Sequence, residues 1–306
     1  MHEEILKGFF FIERGFLNGN HFLFKGEKPV LVDTGYIGDF SRTRELLEGL
    51  GVDLSSVELI VNTHTHCDHI GGNALIQEIS GCGIALHAFG KHFIDSRDDW
   101  STWWRYYNQE ARFFECTQEI ADGDTVPIGP HEFKAIHAPG HASDGLVLYH
   151  PPSKILLSSD TLWEEDMAVM TLRVEGSAAL FAHEESLEKI SRLEVTRVFP
   201  GHGRPFSDCG KAVAKAKERV GTYFRERERI GQDLLKRIFI YTLLMRPGVD
   251  VNLFFGNLMK THWFRETVDL YFGSEYELKY DEIMDYLIKK RLVVLTNGFL
   301  SSTVKP

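Results

Sequence analysis

Four side chains able to bind a metal fall within six residues: His64, His66, Asp68 and His69, in the run VELIVNTHTHCDHIGG. One cation takes three or four such donors. Four in so short a stretch, of two chemical kinds, imply two cations side by side. His64 and His66 alternate along extended chain, so they point the same way. Asp68 and His69 follow after the chain has turned and can face a second position. Imidazole and carboxylate donors suit zinc, iron or manganese. Cys67 stands between two of the donors. It is read as a small buried residue in preference to a redox-sensitive thiol.

These donors need a strand before them and a helix after them. Residues 57–61 read as a short apolar strand, and Gly71 and Gly72 open a helix over 73–79, which leaves the donors in the turn between. Upstream, 5–33 reads as three short strands, ILKGFFFIE, NHFLFKG and PVLVD. Residues 39–50 fit a helix with Phe40, Leu46, Leu47 and Leu50 on one face. Residues 83–87 form another strand, and 119–160 read as an antiparallel β run. A helix over 177–193 and a strand over 196–199 follow. His141, Asp160 and His202 each stand at the end of an expected strand. One connection is dense in aromatics, with Trp100, Trp103, Trp104, Tyr106, Tyr107, Phe113 and Phe114. Core or interface packing and a lid over the site are equally open for it.

The pattern His64-x-His66-x-Asp68-His69 resembles the HxHxDH signature of the metallo-β-lactamase superfamily. Four more blocks match in that family's order: Asp33 in LVDTG, His141 in APGHASDG, Asp160 in LLSSDTLW and His202 in VFPGHG. The resemblance runs over about residues 5–210. It implies an α/β fold, a four-layer αββα sandwich. It also implies a ligand set. His64, His66 and His141 would hold one metal, and Asp68, His69 and His202 the other. Asp160 would bridge them, with a hydroxide as the second bridge. Catalytic parts are implied for Asp68 and for Asp33, the latter orienting a ligand in the turn. A hydroxide so generated attacks carbon or phosphorus while the metals polarise the carbonyl or phosphoryl oxygen.

Asp160 stands where some β-lactamases of this superfamily carry a cysteine. An oxygen there resembles the glyoxalase II branch and leaves iron or manganese open beside zinc, the first choice. The expected substrate is then a small-molecule acyl thioester or related ester. The carrier thiol stays open between glutathione, coenzyme A and another thiol, and no substrate-binding residue is assigned. Lys215, Arg219, Tyr223 and Arg225 are carrier-binding candidates by position alone. Three other readings stand beside this one: a lactonase, a metal-dependent nuclease, and a regulatory protein that binds a metabolite.

Length and composition narrow the field. The 306 residues suffice for one large domain or a large and a small one. The expected division is 1–210 for the catalytic domain and 211–306 for a helical C-terminal domain. The latter ends in a helix and an Asn297-Gly298 hairpin with the outline of a winged helix. Hydrophobic residues make up 43% and charged residues 25%, as in an ordinary globular protein. No apolar run approaches the ~20 residues of a membrane span, and the N-terminus lacks a signal-peptide pattern, so a cytoplasmic location is expected. The four cysteines are read as reduced thiols. A net charge of −10 argues against nucleic acid as a partner. The basic stretch 211–237 also carries Glu218, Glu226, Glu228 and Asp233, which suits ion pairing along a solvated helix. The exposed aromatics leave a homodimer contact open.

Overall fold

The computed structural model describes residues 2–306. Two β-sheets lie face to face. The first has seven strands in chain order: β1 (His2–Leu6), β2 (Phe9–Ile12), β3 (His21–Phe24), β4 (Val30–Val32), β5 (Leu59–Val61), β6 (Gly83–His87) and β7 (Gln118–Ile120). Strands β1 to β4 pair antiparallel and β4 to β7 parallel. The second sheet comprises β8 (Thr125–Ile128), β9 (His131–His137), β10 (Leu146–His150), β11 (Ile155–Ser159) and β12 (Arg197–Pro200), ordered β12-β11-β10-β9-β8.

Alternation of side chains along each strand builds the layers. Phe9, Phe11, Val32 and Val61 from the first sheet meet Phe133, Leu146, Leu148 and Phe199 from the second in one buried core. The intervening positions face outward. Leu23, Leu31, Ile60 and Ile84 pack under the helices α1 (Phe40–Gly49), α2 (Cys67–Ile70), α3 (Asn73–Ser80) and α4 (Ala88–Asp95). On the other side Val147, Leu156 and Val198 pack under α5 (Leu172–Glu175), α6 (Ala179–Ser191) and α7 (Cys209–Arg225). The molecule is thus a four-layer αββα sandwich with a helical C-terminal region.

That region continues with α8 (Glu228–Met245), β13 (Val249–Asp250), α9 (Val251–Leu258), α10 (His262–Phe272), α11 (Tyr276–Lys289), β14 (Val293–Thr296) and β15 (Phe299–Ser302). Its strands form a small sheet ordered β13-β15-β14. A separate core lies here, with Leu235, Phe239, Phe254, Trp263 and Leu287, and it also takes in Trp103, Tyr106 and Tyr107 from the aromatic connection. The chain end returns to the sandwich, where the Lys305 carbonyl accepts the Phe16 amide at 2.9 Å.

Two local features depart from the sequence expectation. ILKGFFFIE is a hairpin, not one strand, because Gly8 turns at φ 72° between β1 and β2. Helix α4 and the pair α9 and α10 lie outside that expectation. As its interleaved acids imply, much of the basic stretch is ion-paired: Lys217 with Glu188, Arg219 with Asp233 and Arg229 with Glu226. Among the described residues no helix is long and apolar enough to cross a membrane.

Candidate metal centre

Strand ends deliver the donors. Asp33 follows β4, and the run Asn62 to His66 follows β5. One turn of helix, α2, carries Asp68 and His69. His141 lies in the connection from β9 to β10, Asp160 follows β11 and His202 follows β12. The turn is tied down by its backbone. The His69 carbonyl accepts the Thr34 amide at 2.7 Å, the Asp68 carbonyl accepts the Gly19 amide at 2.9 Å, and the Gly35 carbonyl accepts the Gly71 amide at 2.7 Å. Asp33 (φ 59°) and Ser159 (φ 48°) adopt the left-handed conformation beside the donors. Each such residue costs about 1–3 kcal/mol, a strain that gathers at functional sites.

The side chains converge in three overlapping groups: His64, His66 and His141; His64, His69 and Asp160; Asp68, His69 and His202. Within each group the donor atoms lie within 4.8 Å of one another. Asp160 Oδ2 stands 3.4 Å from His141 Nε2, 3.6 Å from His69 Nε2 and 3.7 Å from His202 Nε2, between the two histidine sets. The far nitrogens are anchored. His69 Nδ1 donates to Asp33 at 2.8 Å, and His141 Nδ1 to the Val169 carbonyl at 2.8 Å. His64 Nδ1 reaches the hydroxyls of Thr63 and Ser159 at 3.1 and 3.3 Å. The opposite nitrogens of His64 and His69, both Nε2, are buried without a hydrogen-bond partner. Buried polar atoms are almost always partnered. Orphaned ring nitrogens facing carboxylates, with the other nitrogen fixed, fit ligands for a cation. His66 is reversed: its Nδ1 faces His141 Nε2 at 3.0 Å.

Comparison with known proteins agrees with this geometry. The description "Metallo-beta-lactamase superfamily" matches residues 14–202. The chain belongs to the metallo-β-lactamase superfamily. Within it, the chain is 27% identical over 233 residues to human "Acyl-coenzyme A thioesterase MBLAC2", covering 67% of this chain and 81% of that protein. It is 30% identical over 149 residues to "Hydroxyacylglutathione hydrolase" of Maricaulis maris, covering 48% of each. Among solved structures, a metallo-β-lactamase family protein of Thermus thermophilus, TTHA1429, superposes with a TM-score of 0.63 at 19% identity. That match covers 98% of this chain and all of the other, so the shared fold includes the C-terminal region.

The electrostatics of this superfamily site keep its acids ionised. Burial pushes His64 and His66 well below the usual imidazole range, so both rings are neutral. Burial opposes the charge of Asp160 too, but His202 and His69 outweigh it and hold the carboxyl well below the usual range. Burial likewise lowers His69, yet Asp68, Asp160 and Asp33 together raise it well above. Cys67 is buried, raised well above the ordinary thiol range by that burial, and bonded to Gln109. All four cysteines are free thiols.

A pocket of about 70 Å³ opens over the donors. Phe16, Trp103, Tyr107, Trp163, Val169 and Ile238 make its apolar wall, and Gln109, Arg237 and Tyr241 add polar groups. The aromatic connection is therefore wall and core at once. Trp103, left-handed at φ 69°, stacks on His66 with centroids 3.6 Å apart. Its indole N–H donates to Glu175 at 2.7 Å, and the Ser143 amide donates to the other Glu175 oxygen at 2.8 Å. Burial pushes the Glu175 carboxyl up to about 8.

Sequence reasoning missed Glu175, Tyr241 and Arg237. Tyr241 donates to Asp68 Oδ2 at 3.2 Å from α8, and Arg237 donates to the Met167 carbonyl and pairs with Asp166. Tyr241 and Arg237 lie in a long amphipathic helix that carries no motif, and Glu175 lies in a one-turn helix just as anonymous. The structure brings none of Lys215, Arg219, Tyr223 and Arg225 into this pocket. Tyr223 is buried on Asp233, and Lys215 pairs with Glu165. His137 stacks on His87, and His183 is buried behind Gly140; neither joins a donor group.

Proposed function

We propose that this protein hydrolyses an acyl thioester or a related acyl ester. Two divalent cations, zinc first and iron or manganese next, would be held by His64, His66 and His141 on one side and by Asp68, His69 and His202 on the other, with Asp160 between. The observation that carries the reading is the pair of unpartnered Nε2 atoms, on His64 and His69, buried in donor groups whose other members, His66, Asp68, His141, Asp160 and His202, line the pocket. When bound, the cations supply a water acidified from about 15.7 toward about 7 and a Lewis acid for the acyl carbonyl.

The chain's own residues do the rest. Asp33 fixes the His69 ring through Nδ1. The Val169 carbonyl fixes His141. Asp68 is ionised and bonded by the Tyr241 hydroxyl, so it is placed to take a proton from the attacking water. Burial, with Asp68 beside it, raises the Tyr241 phenol well above its ordinary range, so it stays a neutral hydrogen-bond donor to Asp68 Oδ2. The proton taken by Asp68 is the one passed to the departing thiolate. The apolar wall receives the acyl group and excludes water.

Both curated relatives carry thioester chemistry in their names, which supports this class over a lactone. The cation in the pocket, Arg237, is neutralised by Asp166, and Lys217, Arg219 and Arg229 are paired with acids, which with the net charge of −10 disfavours a nucleic-acid backbone. The region from 211 onward is read as a helical second unit with a winged-helix outline that walls the pocket. A cytoplasmic location belongs to the same reading.

Purified protein is expected to carry about two metal equivalents and to hydrolyse acyl thioesters in preference to a labelled RNA and DNA panel. Chelation should abolish turnover and restored metal should return it. Full activity after complete metal removal would end this mechanism.

A further inference from the structure

We propose that Tyr107 is the end wall of the acyl pocket, that it sets the longest chain accepted, and that the apolar cleft behind it is where a longer alkyl tail would go. The inference rests on the acyl-hydrolase reading above. Tyr107 lines the metal pocket, and the same side chain lines a second cleft of about 30 Å³ on its far side. It is the one residue among those described that borders both. Phe254, Leu258 and Trp263 wall the far cleft. Helix α8 runs under both spaces: Ile238 and Tyr241 border the pocket, Thr242 and Met245 the cleft. Their spacing of three and four residues makes one stripe along the helix, so a single surface continues from the metals past Tyr107.

The partition is built to stay in place. Tyr107 is 1% exposed. Its hydroxyl shares a 2.6 Å hydrogen bond with Thr171, and its ring packs 5.1 Å from Trp103 and 4.9 Å from Tyr106. The backbone is constrained on both sides by left-handed residues, Trp103 and Asn108 (φ 53°). A ring held by a hydrogen bond, two aromatic neighbours and a strained backbone does not swing aside to admit a tail. Asn108, Arg246, Asn257 and Thr261 stand at the far cleft too. Tyr107, Phe254, Leu258 and Trp263 nevertheless make a continuous apolar surface, and the ligand that surface fits is a straight alkyl chain. Each methylene that such a surface receives is worth about four-fold in kcat/KM.

The test uses the metal-loaded full chain and a series of N-acetylcysteamine thioesters from acetyl to palmitoyl. For the wild type, kcat/KM should climb about four-fold per methylene and break when the tail meets Tyr107. Tyr107→Ala should move the break to longer chains, and Leu258→Trp in that background should bring it back by filling the cleft. Tyr107→Phe keeps the ring and should leave the break in place. If Tyr107→Ala does not fold, Tyr107→Leu carries the same test. Calorimetry with the free carboxylic acid products should show the same shift in the best-bound length. An unmoved break in active Tyr107→Ala and Tyr107→Leu would overturn the proposal while leaving the hydrolase reading intact. No turnover of any thioester by the wild type would instead sink the hydrolase reading, and calorimetry would still decide whether Tyr107 limits the chain.

Discussion

Each imidazole in the site is useful only if its far nitrogen is held. Asp33 does this for His69 and also accepts the Thr63 amide at 2.8 Å and the Thr63 hydroxyl at 2.7 Å. Ser159 extends the chain of hydroxyls by donating to Thr63 at 2.7 Å. The Asn62 side-chain amide also donates to Asp33, at 3.4 Å, so replacing Asp33 with Ala removes four hydrogen bonds from one buried point. The expected result is a fall in metal affinity of about 10–100-fold, read by competition with a chelator. Because the Thr63 amide would be left buried and unpartnered, stability should also drop by about 1–3 kcal/mol in denaturant unfolding. Unchanged metal affinity would remove Asp33 from the centre.

The elements matter because the donors sit on turns packed too closely for extra atoms. A Cβ on Gly19 would stand 2.6 Å from His69 Cε1 and 2.8 Å from His69 Nδ1. Gly19 carries no positive φ, so Ala can adopt its backbone and the effect is steric alone. Gly19→Ala should therefore tilt the His69 ring and empty the position shared by Asp68, His69 and His202. Metal analysis should fall from about two equivalents toward one, with a stability loss of about 1–3 kcal/mol from overpacking. Retention of both metals would show that the loop at 18–20 yields. Gly201, set against Asp160 in the same way, makes the matching constraint on the shared carboxylate.

On the scale of the molecule, the sandwich supplies every donor and the C-terminal region closes the space above them. Ile238, Tyr241 and Arg237 all come from α8. Phe239, on the opposite side of that helix, is fully buried against Phe254, Trp263 and Phe264. Phe239→Ala should cost about 3–5 kcal/mol and loosen α8 against the pocket. KM should rise while metal content holds, because the donors lie at His202 or earlier. Loss of metal together with the rise in KM would show that the two regions support each other more closely than this division allows.

Much of the centre was written in the sequence. His64, His66, Asp68 and His69 are neighbours along the chain, Asp33, Asp160 and His202 follow short apolar strands, and His141 stands in the turn after another. Local spacing determines such features, and so does the alternation that sorts Leu146 and Leu148 from Val147. What only the tertiary structure decided is the company these donors keep. Trp103 lies on His66 because an irregular connection folds back over the turn, and no periodicity encodes that path. Tyr241 reaches Asp68, 173 residues away in sequence, because α8 packs across the mouth of the sandwich. Contacts between residues so far apart are set by packing of whole elements, which a chain read in order does not display.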